Sequence, residues 1–250
     1  MIKFESVTKK FGTGESALAD INLSINPGEF VFVTGPSGSG KTTFFRLLTR
    51  EIQPTSGAIH INDWNITKLP RGKVPHLRRR IGVVFQDLKL LADRTIFENI
   101  LLPLQIAGIE SKKAHGRVME IMSQVGIDLH KDKFPVQLSG GELQRVAIAR
   151  AIVFAPQIII ADEPTGNLDS DTSWGIVKLL QEINETGTTV LMATHNIDIV
   201  KTLGRRIIVL DKGSVVKDEA STHKPKEPKL DEELVSKTEH TTQKKHKKEL

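Results

Sequence analysis

Gly35-Pro36-Ser37-Gly38-Ser39-Gly40-Lys41-Thr42 follows directly on the apolar run Phe30-Val31-Phe32-Val33. The spacing G-x-x-x-x-G-K-[ST] between a strand and a helix is that of a phosphate-binding loop. Glycines there take positive φ, so successive backbone N–H groups can turn inward around an anion at the start of the helix. Lys41 then reaches the β and γ phosphates of a nucleoside triphosphate. Thr42 offers a hydroxyl to Mg²⁺, and Thr43 closes the phosphate-binding set. A plain glycine-rich turn would explain the glycines but not the lysine and hydroxyl at these offsets.

Outward from the loop, short β-branched runs alternate with helical patterns. Phe30 to Thr34, Ile81 to Phe85, Gln157 to Ala161, Thr188 to Ala193 and Arg206 to Leu210 read as strands. Their alternation with helices predicts an α/β fold with a mostly parallel sheet. The runs are apolar almost throughout, as expected of strands covered on both faces, and function is then expected at their C-terminal ends. Between about residues 87 and 155 the strand signals stop. Helical spacing takes over in Ile96 to Ala107, Ala114 to Val125 and Gly140 to Val153, which reads as a helical insertion. No internal repeat is visible.

Composition fits a catalytic domain: 38% of the residues are hydrophobic and 26% charged, ordinary values for a globular chain. There is no cysteine, which excludes disulfides and thiolate metal sites. The eight histidines show no paired ligand spacing. No apolar stretch approaches the roughly 18 residues of a membrane span, and Met1-Ile2-Lys3-Phe4-Glu5 lacks a signal-peptide apolar region. The chain is therefore expected in the cytosol. The net charge of +5 is concentrated late, in Lys244, Lys245, Lys247 and Lys248, so nucleic-acid binding is not expected. Residues 221–250 hold almost no large apolar side chains and read as a Lys-rich disordered tail behind a domain of residues 1–220.

The run Ile158-Ile159-Ile160-Ala161 ends in Asp162-Glu163, which delivers two adjacent carboxylates to the edge of the sheet. Side by side they repel unless a cation divides their work. Asp162 would hold Mg²⁺ through its water shell while Glu163 orients and deprotonates an attacking water. The plainer alternative is a pair of solvated surface acids.

Leu138-Ser139-Gly140-Gly141-Glu142 runs into Leu143-Gln144-Arg145-Val146-Ala147-Ile148-Ala149-Arg150-Ala151. Ser139 and the two glycines open a helix whose free N–H groups and positive dipole end form a second phosphate site. Taken together with the loop, Gln86 after Val83-Val84-Phe85, Asp162-Glu163, Asn167-Leu168-Asp169, and His195 after Ala193-Thr194, the chain resembles the ATP-binding cassette ATPases over roughly residues 1–219. That resemblance implies a P-loop cassette with a mostly parallel core, an antiparallel β subdomain and a helical subdomain over about 87–155. It also implies a homodimer with two ATP molecules sandwiched between subunits, each signature closing on the other's loop. Each motif occurs once here, so the partner is a second chain.

The same resemblance implies roles by position. Gln86 touches Mg²⁺ and links the nucleotide to the helical subdomain, His195 grips the γ-phosphate, and Asp169 communicates across the dimer. Phe11 stands where the family usually carries an aromatic and is implied to stack on adenine; its other reading is a core side chain.

Pro164-Thr165-Gly166-Asn167 resembles the branch with the FtsE, lipoprotein-release and efflux ATPases. Gly28-Glu29-Phe30-Val31-Phe32, Val74-Pro75-His76-Leu77-Arg78-Arg79, Leu90-Leu91-Ala92-Asp93-Arg94-Thr95 and Phe134-Pro135-Val136-Gln137 lean towards the FtsE family, which acts in bacterial cell division. That likeness implies an integral membrane partner resembling FtsX, a place on the cytoplasmic face of the inner membrane, and a possible division-ring protein as a further contact. Leu88, Leu90, Leu91, Phe97 and Phe134 would either line a groove for a partner helix or pack the chain's own core; apolar spacing does not separate the two. Lipoprotein release or efflux stays open beside division. A soluble repair or translation ATPase would need a long coiled coil or two cassettes, and neither is present. The tail's lysines favour an anionic membrane surface, an effect its six acids dilute, or they are simply solvated.

Overall fold

The computed structural model describes residues 2–12, 14 and 16–221, so the tail expected from 221 onward lies, after its first residue, outside the described residues. In chain order the strands and helices are β1 (Ile2–Lys10), β2 (Ser16–Ile25), β3 (Phe30–Thr34), α1 (Lys41–Leu48), β4 (Ser56–Ile61), β5 (Trp64–Asn65), α2 (Val74–Arg79) and β6 (Ile81–Val84). Then follow α3 (Ile96–Ile106), α4 (Ser111–Gln124), α5 (Gly140–Ile152), β7 (Ile158–Asp162), α6 (Ser170–Glu185), β8 (Thr189–Ala193), α7 (Ile197–Leu203), β9 (Arg206–Asp211) and β10 (Ser214–Glu219).

The five strands read from sequence are β3, β6, β7, β8 and β9, and they pair in parallel in the order β9-β3-β8-β7-β6. The hairpin strand β10 adds an antiparallel edge to β9. Their alternation sorts side chains between two cores, because successive residues of a strand point to opposite faces. Phe30, Phe32, Ile159, Ala161, Val190 and Met192 face one core, which is completed by α3, α4, α5 and α6. Val31, Val33, Ile158, Ile160, Leu191 and Ala193 face the other.

That second core is closed by a four-stranded antiparallel sheet in the order β2-β1-β4-β5, and by α1. Phe4 of β1 stacks on Phe44 of α1 with ring centroids 4.6 Å apart, a contact that contributes about 0.5–1.5 kcal/mol beyond area burial. The helix that follows the phosphate loop is thereby fixed from its far side. The three helical stretches of the insertion form α3, α4 and α5. Thr95 and Glu98 start α3 with reciprocal capping bonds, and Ser139 and Glu142 do the same for α5. Such boxes satisfy orphan amide groups of a first turn. Among the described residues no helix is long and apolar enough to cross a membrane.

Candidate functional site

The phosphate loop occupies the connection from β3 to α1 and takes the backbone its glycines allow: φ is 144° at Gly35, 76° at Gly38 and 107° at Gly40. Gly40 stands directly before the first turn of α1. A Cβ there would lie 2.6 Å from the Ala17 carbonyl oxygen and 2.8 Å from a methyl of Leu18, so β2 presses on the loop from outside. Lys41 donates from Nζ to the carbonyls of Gly35, at 2.7 Å, and Pro36, at 3.0 Å. Its ammonium therefore lies across the mouth of the loop.

The C-terminal ends of three neighbouring strands converge on this loop. β7 ends at Asp162, and Glu163 follows with φ 51°, a left-handed backbone that a glutamate rarely adopts. Its N–H donates to the Ala193 carbonyl at 3.1 Å, which pins the turn to the end of β8. Strain of this kind persists where the surroundings over-determine it, and such places cluster at functional sites. His195 lies just beyond β8, its Nδ1 2.9 Å from Glu163 Oε2. Gln86 stands two residues after β6, on the same side. A cleft of about 550 Å³ is lined by residues 35–43, Gln86, Asp162, Glu163 and His195, together with Ala17, Gly166 and Asn167.

Burial pushes the Asp162 carboxyl above the ordinary carboxylate range, and the Glu163 charge beside it pushes the same way. Lys41 and a hydrogen bond from Thr42 pull in the opposite direction. A partly buried acid facing a second acid, a hydroxyl and an ammonium is poised for a hard cation.

The remaining predicted residues lie outside this cleft. Ser139 caps α5, and Glu142 accepts from its N–H at 2.7 Å and from its Oγ at 2.6 Å. Those two bonds hold the Glu142 carboxyl below its ordinary range. Asp169 caps α6 and accepts from the Thr172 N–H at 2.9 Å. The starts of the two helices touch: a Cβ on Gly140 would meet Leu168 at 3.2 Å, and one on Gly141 would strike Thr172. Ser139, Gly140, Gly141 and Asp169 thus form a second group, apart from the loop of the same chain. Phe11 is 44% exposed, with Lys9 Nζ 5.1 Å above its ring; it is neither core nor part of the cleft wall.

Three residues were not singled out as site residues from the sequence. Asn167 and Gly166 line the cleft, and their signal was the stretch Pro164-Thr165-Gly166-Asn167. Ala17 lines it through position alone, which no side-chain chemistry reveals. Of the apolar residues after Gln86, Leu88, Leu90 and Phe97 pack against the core, while Leu91 and Phe134 are exposed.

A family model described as ABC transporter matches residues 18–166. The cell division ATP-binding protein FtsE of Streptococcus pneumoniae serotype 2 is 49% identical over 220 residues, covering 88% of this chain and 96% of that protein. FtsE of Bacillus subtilis strain 168 matches to the same extent. FtsE of Escherichia coli K12 is 45% identical over 213 residues, 85% of this chain and 96% of that one. Among solved structures, the dimeric post-hydrolysis state of the cassette MJ0796 bound to ADP and Pi has a TM-score of 0.80 at 37% identity, covering 90% of this chain and all of that one. A second dimeric structure of MJ0796 has a TM-score of 0.81 at 38% identity over the same shares. With the loop, the paired acids and the separate signature in these positions, the chain belongs to the ATP-binding cassette family and, within it, to the FtsE family of cell-division ATPases.

Proposed function

We propose that this ATPase is the nucleotide-binding subunit of a membrane complex, in which ATP-driven closure of two copies is passed through an FtsX-like partner to regulators of cell-wall hydrolysis. The observation that carries the reading is the separation of the phosphate loop from the Ser139 group within one chain. The signature lies outside the cleft that the loop lines, which fits a site completed by a second chain, and the MJ0796 cassette to which this fold is similar is described as a dimer.

Within each site, the N–H groups of the loop and Lys41 hold the triphosphate, Lys41 exchanging its own loop carbonyls for phosphate oxygens. Glu163 acts as the general base. Its Oε2 is buried and receives no aligned hydrogen bond, which leaves it free to accept a proton from water. Closeness to His195 fits a ring that orients the γ-phosphate beside that base.

Thr42, Asp162 and Gln86 are the residues that would hold Mg²⁺. When bound, the ion supplies charge neutralisation to the phosphates. Among the described residues no cluster of three histidines or acids stands ready for a metal.

The proposed docking surface is on the helical region, where Leu91 and Phe134 are exposed and Phe97 borders a groove with Met119 and His115. A cytoplasmic helix of the membrane partner fits such a surface, and it would hold the protein at the cytoplasmic face of the inner membrane. Phe11, at the outer end of β1, is free to stack on adenine once nucleotide is present.

The test is to trap the complex with Glu163→Gln and ATP, purify it from native membranes, and identify the integral membrane protein that accompanies it. An FtsX-like protein supports the division reading. A lipoprotein-release or efflux permease would transfer the function to export, and no membrane partner would overturn the coupling.

A further inference from the structure

The edge of the sheet away from the nucleotide cleft carries a cluster of basic side chains. Arg71, Lys73, His76, Arg78, Arg79 and Arg80 fall within ten residues, around α2 and just before β6. Arg78 is engaged with the carbonyls of Thr49 and Arg50. The others are not neutralised: none of Lys73, Arg79 and Arg80 is in an ion pair among the described residues, and Arg79 lies 2.7 Å from the ring of His76. Lys73, His76, Arg79 and Arg80 line a pocket of about 590 Å³ whose apolar wall is Trp64, Phe154 and Ala155. The Arg80 guanidinium stacks over Trp64 at 4.4 Å. The pocket therefore presents concentrated positive charge beside an aromatic surface.

We propose that this pocket receives the segment Asp231-Glu232-Glu233-Leu234-Val235 of the same chain. The segment lies outside the described residues, and its sequence offers three consecutive acids followed by two apolar side chains. Charge meets charge at Lys73, Arg79 and Arg80, and the apolar pair meets Trp64 and Phe154. Lys229 and Lys237 flank the segment without interrupting it.

Topology supplies the reach. β10 runs antiparallel to β9, so the chain leaves the sheet at the N-terminal ends of the parallel strands. Ser221 marks that end, with its hydroxyl bonded to the Gly204 carbonyl at 3.1 Å. The N-terminal end of β6 lies on the same side, where the Arg80 carbonyl accepts from the N–H groups of Gln157 and Ile158 at 3.0 and 3.2 Å. The two edges are separated by five strand steps, about 24 Å at ~4.8 Å each. Ten residues, 222 to 231, extend to about 33–36 Å. The first acid thus reaches the pocket with slack for the curve of the surface. Its occupation would tie the segment to the root of β6, the strand that leads to Gln86.

The chain has no cysteine, so paired cysteines report proximity cleanly in the full-length protein. Lys73→Cys with Glu232→Cys is expected to form a disulfide about ten-fold faster or more than Lys73→Cys with Glu249→Cys, because docking raises the effective concentration. The advantage should vanish at 1 M salt, where the screening length falls to ~3 Å. As a readout that leaves the pocket intact, Asp231→Asn with Glu232→Gln and Glu233→Gln, in a Trp174→Phe background, should shift Trp64 emission towards that of a solvated indole. Equal cross-linking rates or unchanged emission would overturn the proposal. Binding to phosphatidylserine vesicles that is lost in Lys73→Glu with Arg79→Glu, alongside equal cross-linking rates, would overturn it in favour of a lipid surface.

Discussion

His195 Nδ1 stands 2.9 Å from Glu163 Oε2, yet it does not lie along a hydrogen bond to it, so a largely buried carboxylate oxygen keeps a polar neighbour and no donor. The pair joins the ends of β7 and β8 above the phosphate loop. A carboxylate held in this way is near enough to its neighbour to be oriented and not so tightly bonded that its lone pair is spent, as the proposed role of general base requires.

Glu163→Gln should lower the rate of ATP hydrolysis by about 10²–10⁴, the usual weight of a general base, while nucleotide affinity stays close to that of the parent. Phosphate release and equilibrium nucleotide binding, measured side by side, check both halves. Turnover near the parent rate would remove Glu163 from the role of base.

The same variant makes a prediction about its neighbour. Glu163 is one cause of the raised Asp162 pKa, after burial, so Glu163→Gln should move the Asp162 titration down. A raised carboxyl pKa means that Asp162 favours folding below its unfolded pKa, and that this contribution is lost as pH rises through the folded value. The acid is then a cost at neutral pH, which a bound cation relieves. Carboxyl-selective NMR titration of parent and variant reads the shift, and an unchanged Asp162 would exclude coupling between the two acids.

Lys41→Ala should abolish measurable ATP binding and leave the melting temperature nearly unchanged, since the ammonium bonds only to exposed or half-buried loop carbonyls. Calorimetry with ATP, followed by a thermal melt, separates the two effects. Undiminished affinity would mean that the loop is not the triphosphate site.

Arg150, in the last turn of α5, donates through its two terminal nitrogens to the carbonyls of Lys89 and Leu88. Both acceptors have positive φ, 53° and 55°. The helix opened by Ser139 is thereby clamped to the segment after Gln86. Arg150→Ala should cost about 2–3 kcal/mol of stability, because charged hydrogen bonds are lost and a carbonyl is left half-buried. It should also reduce ATP turnover. Arg150→Lys should not restore the parent, since one ammonium cannot reproduce the forked geometry. Denaturant unfolding and kcat, measured on all three proteins, test this; full rescue by lysine would reduce the clamp to simple charge.

Gly40→Ala should destabilise the loop and weaken nucleotide binding together, because the new Cβ meets the Ala17 carbonyl and the φ of 107° is strained for any other residue. An alanine variant with parent affinity and parent stability would mean that β2 yields without effect.

The nucleotide side of the fold was legible because its signals are local. Phe30 to Thr34, buried as far as Val33, forms β3 with the bounds read from the sequence. Ile81–Val84 stops one residue short of the run read from the sequence, and Ile158–Asp162 is displaced from its run by one residue at both ends. That displacement matters at β7, where Asp162 is the last paired residue and Glu163 the first of the turn. The antiparallel sheet came from resemblance and not from pattern. β1 reads IKFESVTKK, and its pairing with β2 shifts register three times, so alternation of apolar and polar residues is broken by irregularities that tertiary contacts decide. Arg150 was invisible for a related reason: its partners are backbone carbonyls about sixty residues away, and carbonyls carry no sequence signature.

The distance between the phosphate loop and the Ser139 group has a genetic consequence. A copy damaged at Lys41 still offers a sound signature, and a copy damaged at Ser139 still offers a sound loop. In the proposed dimer, two such alleles in one cell assemble one intact site per mixed pair, so the lesions should complement each other. Either allele expressed beside the parent should instead be partly dominant, since every mixed pair loses one of its two sites.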